Sequence, residues 1–381
     1  MKIIFGLSVI MVLILAGCAG IQNNMQSSEP KEVKFGWIGP LTGGASVIGT
    51  PIKDSVALAV DEVNAIKLLK DKTLRVIYED DECDPKKSVT AVQKLISIDN
   101  VIAIHGGVCS GTTLADAPLA EQNKVLLMSP GSSNPKIKDA GDYIFRVVPP
   151  DQLQGAAGAD LMKNANIKKV AVLQILNDYG EGLAGAFIAQ AQKIGIEVVA
   201  HEKFSVDSTD LRTQLTKITA LAPEGVYLIA HPAETALALK QAKEAGLTAL
   251  FVGGDASKDG SVISGAGSAA EGFIITTFGV PESKELDAFA AKWKTRYNKE
   301  WQPYTPEAYD VLMILAKACA ATDCTSPSMK DYLYKMGPYK GASGMFEFDS
   351  NGEVQKPYDY FQVKEGKWVK AFIIDDGGLR G

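Results

Sequence analysis

From residue 33 onward, short apolar runs alternate with helical stretches, and this alternation places the chain in the α/β class. The strand-like runs cover 33–38, 74–78, 101–105, 125–128, 143–147, 170–175, 197–204, 225–230, 250–253 and 273–277. Helical patterns at 52–69, 86–97, 113–122, 152–164, 181–194, 211–220 and 234–245 separate most of them. Strands joined through helices of this length form βα units with parallel sheets. Local signals agree with these boundaries. Asp84-Pro85 supplies an N-cap followed by a proline that needs no donor, and Gly246 is a good stop after Ala245. The runs fall into two sets, the first ending near Val147-Val148-Pro149-Pro150 and the second spanning 170–277. Each set is large enough for its own doubly wound lobe.

After Pro281 the pattern changes. Two long helices are predicted at 282–299 and 306–321, with a shorter one near 329–336. Hairpin-like strands follow at 345–348, 358–363 and 368–374, with turn signals at Asn351-Gly352 and Glu365-Gly366.

The amino terminus reads as an export signal. Lys2 precedes an apolar run over 3–15, too short to span a bilayer, which takes about 20 residues. The run closes on Leu15-Ala16-Gly17-Cys18, which resembles the lipobox of bacterial lipoproteins. Cleavage before Cys18 would leave a lipid-bearing cysteine and place the mature chain outside the cytoplasm, tethered to a membrane. Residues 19–32 are polar and aperiodic, a flexible spacer, with ordered structure expected from Val33. The length of 381 residues suits about two domains, and 46% apolar residues can fill both cores. A net charge of −6 without basic clusters argues against a nucleic-acid partner.

Five cysteines fit an oxidising compartment. With Cys18 assigned to lipid, four remain. Cys83 and Cys109 each follow a strand-like run, and parallel neighbouring strands would bring them together as a bridge. Cys319 and Cys324 cannot face each other within one helix, but a helix end at Ala321-Thr322-Asp323 would permit a local bridge. Three histidines, with no Cys-x-x-Cys, give little basis for a metal site.

Open α/β sheets bind ligands at the carboxyl ends of their strands, which directs attention to six loops. Gly39–Gly44 lacks both phosphate-loop signatures and is either a tight turn or a ligand-lining segment. The loop 106–113 leads into a helix N-terminus with hydroxyls, a good environment for a carboxylate. In 129–135, Ser129, Ser132 and Ser133 can satisfy a turn or face a ligand. The remaining loops are 177–182, 230–234 and 253–257. Asp255 in the last is either a helix cap or a partner for a ligand cation. One lobe would then offer donors to an anion and the other a carboxylate to a cation, as a zwitterion held between two lobes requires. No nucleophile elbow, zinc-protease motif or Ser-x-x-Lys set is present, so no enzyme activity and no cofactor are expected. The acidic run Glu79–Glu82 lacks EF-hand spacing and reads as a solvated loop.

Several short segments, taken in order, resemble type 1 periplasmic binding proteins, in particular the leucine/isoleucine/valine-binding branch that serves ABC transporters. They are Asp80-Asp81-Glu82-Cys83-Asp84-Pro85-Lys86, Val108-Cys109-Ser110, Ser129-Pro130-Gly131-Ser132-Ser133, Tyr179-Gly180-Glu181-Gly182 and Gln241–Leu247. The resemblance covers nearly all of 33–375. It implies two doubly wound parallel-sheet lobes joined by three crossover segments. The N-terminal lobe would comprise 33–147 plus 280–355, and the C-terminal lobe 148–279 plus 356–381. These follow a signal peptide at 1–17 and a lipidated linker at 18–32. By position, Ser110, Gly131 and Ser133 would hold an α-carboxylate, and Tyr179 would close over the ligand. Asp255 would meet the α-ammonium in place of the family's usual Glu. Ile48, Val108, Tyr304 and His231 would line the side-chain pocket; at Ile48 and His231 the leucine-binding branch has Tyr. Cys83–Cys109 would be the family disulfide. The implied function is capture of a branched-chain or similar aliphatic amino acid by lobe closure, with delivery to an ABC permease. The alternatives are another small carboxylate, such as an aromatic acid or amide, or a sensory receptor. Nothing in the sequence demands more than a monomer.

Overall fold

The computed structural model describes residues 31–373 and 379–380. The expected signal peptide, Cys18 and the spacer through residue 30 lie outside the described residues, as do 374–378 and 381. Lys31 and Glu32, expected in the spacer, instead pair with Lys72 and Thr73 and so begin the first strand.

The first sheet is built from β1 (Lys31–Gly39), α1 (Ser46–Ala65), β2 (Lys72–Asp80), α2 (Pro85–Ser97), β3 (Ala103–His105), α3 (Ser110–Asn123), β4 (Leu126–Ser129) and β5 (Ile144–Arg146). All five strands are parallel, in the order β2-β1-β3-β4-β5. Side chains alternate between two cores. Phe35, Trp37, Leu126 and Met128 join a cluster on one face, and Ile38, Ile104 and Leu127 a second cluster on the other. Period-two alternation in a sheet covered on both sides produces this arrangement.

The second sheet begins with α4 (Asp151–Asn164), β6 (Lys169–Ile175), α5 (Asp178–Lys193), β7 (Glu197–Phe204), α6 (Arg212–Ala220) and β8 (Gly225–Ile229). It continues with α7 (Pro232–Glu244), β9 (Leu250–Gly253), α8 (Gly260–Ala266) and β10 (Ile274–Phe278). Its parallel strands run β7-β6-β8-β9-β10, the same winding as the first sheet. The chain then returns to the first core through α9 (Lys284–Tyr297), α10 (Thr305–Ala321), α11 (Ser326–Leu333), β11 (Tyr339–Gly341) and β12 (Gly344–Phe346). A third passage leads to β13 (Tyr358–Lys364), β14 (Lys367–Ile373) and β15 (Leu379–Arg380). These add antiparallel to β10, so the second sheet is mixed at that edge. The chain therefore crosses between sheets three times: after β5, after β10 and after β12.

Caps account for the helix starts. Asp84 accepts from the Lys86 and Lys87 backbone N–H groups, Asn177 from Gly180, and Ser283 from Leu286. Gly246, at φ +70°, ends α7 as expected. Two glycines let helices approach strand ends closely. A Cβ on Gly49 of α1 would lie 1.8 Å from the Pro40 carbonyl oxygen, and one on Gly180 of α5 would lie 1.9 Å from that of Ile175. The same close contact thus recurs at the first βα turn of each lobe. α10 is apolar around most of its circumference and is buried from Thr305 through Ala316, as a helix inside a core must be.

The strand near 345–348 pairs with β11, which the sequence pattern did not reveal, and not with β13. Asn351-Gly352 forms a turn without a hairpin, whereas Glu365-Gly366, both at positive φ, closes the β13–β14 hairpin.

Candidate functional site

The carboxyl ends of both sheets face each other across a cavity of about 450 Å³. The first lobe contributes Ile48 from α1, Val108–Gly111 at the start of α3, Gly131 after β4, and the Cys83–Cys109 disulfide. The second lobe contributes Tyr179 from α5, Val206 and Asp207 after β7, and His231 and Ala256 after β8 and β9. Tyr304, just before α10, completes the wall. Of the nine predicted ligand-binding residues, Ile48, Val108, Ser110, Gly131, Tyr179, His231 and Tyr304 line this cavity. Ser133 and Asp255 are buried behind it and form no part of its wall.

The disulfide forms for a different reason than the sequence reading gave. β2 and β3 are not neighbours, because β1 lies between them. The loops after them bend toward each other over the end of β1, and the two Cα atoms come within 5.6 Å. Cys319 and Cys324 also pair, because α10 ends at Ala321 and Cys324 takes φ +63°.

On the first lobe's side Glu82, Asp84 and Lys87 also line the cavity, and the donors are gathered at the start of α3. Ser110 stands in the first turn of α3, whose leading N–H groups have no partner inside the helix. Its hydroxyl oxygen accepts from the Asn134 backbone N–H at 3.2 Å, leaving the hydroxyl proton free. The neighbouring serines serve the loops themselves. Ser129 donates to the Gly107 carbonyl and accepts from the Gly131 and Ser132 N–H groups. Ser132 bonds Thr113 and Gly107. Ser133, in contrast, has a buried hydroxyl without a hydrogen bond. Gly131 keeps the wall thin, since a Cβ there would sit 3.0 Å from the Val108 carbonyl oxygen.

On the tyrosine side the polarity is reversed. Asp255 accepts from the Tyr179 hydroxyl at 3.0 Å and the Tyr304 hydroxyl at 2.6 Å. Both phenol protons are thereby committed to the carboxylate, and the phenol oxygens retain only lone pairs for another partner. Burial raises the Asp255 pKa, and the hydrogen bonds from Tyr304 and Tyr179 oppose that rise. Asp255 therefore makes no cap, and its carboxylate is tied to both lobes.

A second carboxylate lies close by. Asp151, the first residue of α4, is fully buried, and among the described residues neither oxygen has a well-formed hydrogen bond, with the Ser133 hydroxyl close enough to favour its charged form. Burial, reinforced by the Asp255 charge, raises its pKa to about 8, while Ser133 and Arg146 nearby favour its charged form. Sequence reasoning missed this residue, because an Asp directly after two prolines at a helix start reads as an ordinary first-turn acid. The Asn134 side chain also joins the lobes, donating to the Asp178 carbonyl. Among the described residues, no group of three or more His, Cys, Asp or Glu side chains could hold a metal, and no helix is long and apolar enough to cross a membrane.

Comparison with known proteins places this architecture. The periplasmic binding protein family model matches residues 32–367. An amino acid binding protein of Pseudomonas aeruginosa is 30% identical over 337 residues, covering 86% of this chain and 89% of the relative. A leucine-, isoleucine-, valine-, threonine-, and alanine-binding protein of the same organism is 28% identical over 334 residues, covering 86% and 88%. The crystal structure of a leucine-binding protein, LivK, from Thermotoga maritima superposes with a TM-score of 0.84 at 29% identity, covering 89% of this chain and 97% of that one.

Proposed function

The chain belongs to the periplasmic binding protein family, and we propose that it is a receptor that captures an amino acid, branched-chain or of similar size, between its lobes and delivers it to an ABC permease. One observation carries this reading: the two polar walls of the cavity have opposite hydrogen-bonding character. Ser110 and the α3 N-terminus donate, whereas the phenol oxygens of Tyr179 and Tyr304 accept. A zwitterion matches both walls at once, with its carboxylate at Ser110 and Gly131 and its ammonium at the tyrosine pair. Asp255 fixes the direction of both phenol O–H bonds and supplies the negative charge behind them. Ile48, Val108, Tyr304 and His231 surround the ligand side chain.

The two sheets and their separate cores support a division at the three crossings, into 33–147 with 280–355 and 148–279 with 356–381. Closure of one lobe on the other expels water from the cleft and strengthens the contacts to both charged ends. A lipid at Cys18 would hold the receptor, as a monomer outside the cytoplasm, near its permease. The proposed role is binding without catalysis.

A thermal-shift panel of amino acids and aromatic acids tests the function, because a ligand that binds only the folded state raises its melting temperature. Stabilisation by amino acids is the expected result. Stabilisation by aromatic acids alone would refute the zwitterion reading.

A further inference from the structure

We propose that His231 selects the ligand's side chain, and that the preferred amino acid carries a hydroxyl or carboxamide where an aliphatic ligand has only methyl groups. The inference rests on the amino-acid reading and refines it.

His231 occupies the N-cap position of α7. Its carbonyl accepts from the Thr235 N–H at 2.9 Å, but its side chain makes no cap bond. The imidazole is only 6% exposed, lies nearly parallel to the Tyr179 ring at 6.3 Å, and lines the cavity. Among the described residues, neither ring nitrogen has a hydrogen-bond partner. The other two histidines differ in this respect. His105 Nε2 meets the Ala308 carbonyl at 2.9 Å, and His201 Nε2 meets the Gln174 side chain at 2.6 Å. The charged groups facing His231 are Glu234, Asp207 and Asp255, all of which favour the imidazolium; burial outweighs them and lowers the pKa. The ring is therefore neutral near pH 7 and offers one donor and one acceptor.

The cavity that His231 lines combines the apolar surfaces of Ile48, Val108 and the Cys83–Cys109 bridge with a few polar groups, Asp207 among them. A pocket of this kind takes its specificity from a few placed polar groups. When the lobes close on an aliphatic side chain, the imidazole loses water and gains no partner. When they close on a hydroxyl or carboxamide, donor and acceptor are both matched. An unpaired buried polar group is costly enough to separate such ligands by roughly tenfold to a hundredfold.

Isothermal titration of the purified protein with two near-isosteric pairs tests this. L-threonine replaces one methyl of L-valine with a hydroxyl, and L-asparagine places a carboxamide where L-leucine has two methyls. The expected result is at least tenfold tighter binding of the polar member of one pair. His231→Phe should abolish that preference while the apolar member still binds, and His231→Gln should retain it. Equal affinities, tighter binding of the apolar members, or an unchanged preference in His231→Phe would overturn the role of His231 and leave the amino-acid reading intact. Failure of all four amino acids to bind would overturn both.

Discussion

Asp151→Asn should stabilise the protein at alkaline pH and leave it nearly unchanged at acidic pH. The carboxyl group is fully buried without a well-formed hydrogen bond among the described residues, beside the Asp255 carboxylate, and its pKa is raised to about 8. An unfolded aspartate titrates near 3.9. Between about pH 4 and pH 8 the folded chain therefore keeps a proton that the unfolded chain has released. Stability falls as pH rises through that window and levels off above it. The loss from this one group is about 4 kcal/mol between pH 5 and pH 8, at about 1.4 kcal/mol per pH unit. Asparagine copies the shape of the neutral acid and has no proton to lose. Asp116, also raised to about 8, and Asp81, raised to about 6, slope the same way in both proteins and cancel in the comparison. Melting temperatures measured from pH 5 to pH 9 should coincide at the acid end and diverge by several degrees at the alkaline end, with the variant higher. Parallel curves would show that Asp151 is hydrated or paired in solution and would refute the argument.

Removing the carboxylate behind the tyrosine pair, as Asp255→Ala, should weaken amino-acid binding at least tenfold by calorimetry, because the phenol protons are no longer held away from the ligand; Tyr179→Ala should do likewise, and unchanged affinity in both would displace the assigned site. Replacing both Cys83 and Cys109 by serine opens a loop of sequence separation 26 and should cost about 3.5 kcal/mol in chemical denaturation. Lys356, in the third crossing, is buried 3.5 Å from Glu307 of α10, between the rings of Phe278 and Phe346. Lys356→Met should cost about 3–5 kcal/mol by leaving Glu307 buried without its cation, and adding Glu307→Gln should restore most of that loss in a double-mutant cycle.

The fold was largely legible because its signals are local. An apolar run such as 170–175 can be buried on both faces only in a central parallel strand, and Asp84-Pro85 or Gly246 fixes a helix end whatever surrounds it. Signals that depend on strand order were not legible. Succession in the chain suggests that β2 and β3 are neighbours, yet β1 divides them. The β11 strand was missed because Tyr339–Gly341 is three residues long, too short for any periodicity. The mixed edge of the second sheet follows from where the third crossing delivers β13, which no property of residues 358–364 specifies.

The candidate site divides along the same line. Seven of the nine predicted ligand-binding residues line the cavity, because strand ends can be read from sequence and strand ends are where such sheets open. What each residue does there depends on partners brought in from a distance. Asp255 reads as a cap or as a ligand's counter-charge; it becomes neither alone once Tyr304, 49 positions away, claims its second oxygen. Ser129, Ser132 and Ser133 are equivalent as letters, and only the fold decides that two brace loops while the third keeps a free hydroxyl. Asp151 becomes significant only because the first crossing places it beside a carboxylate from another loop. Two buried carboxylates and one ligand ammonium would leave one negative charge unmatched, and burial beside Asp255 removes that charge by keeping Asp151 protonated. With its pKa raised to about 8, Asp151 already holds a proton near neutral pH, so closure on a zwitterion should take up almost none there. Titrations in buffers of different ionisation enthalpy should give nearly the same binding enthalpy at about pH 7, and a proton uptake that disappears in Asp151→Asn would show that the group is ionised before binding.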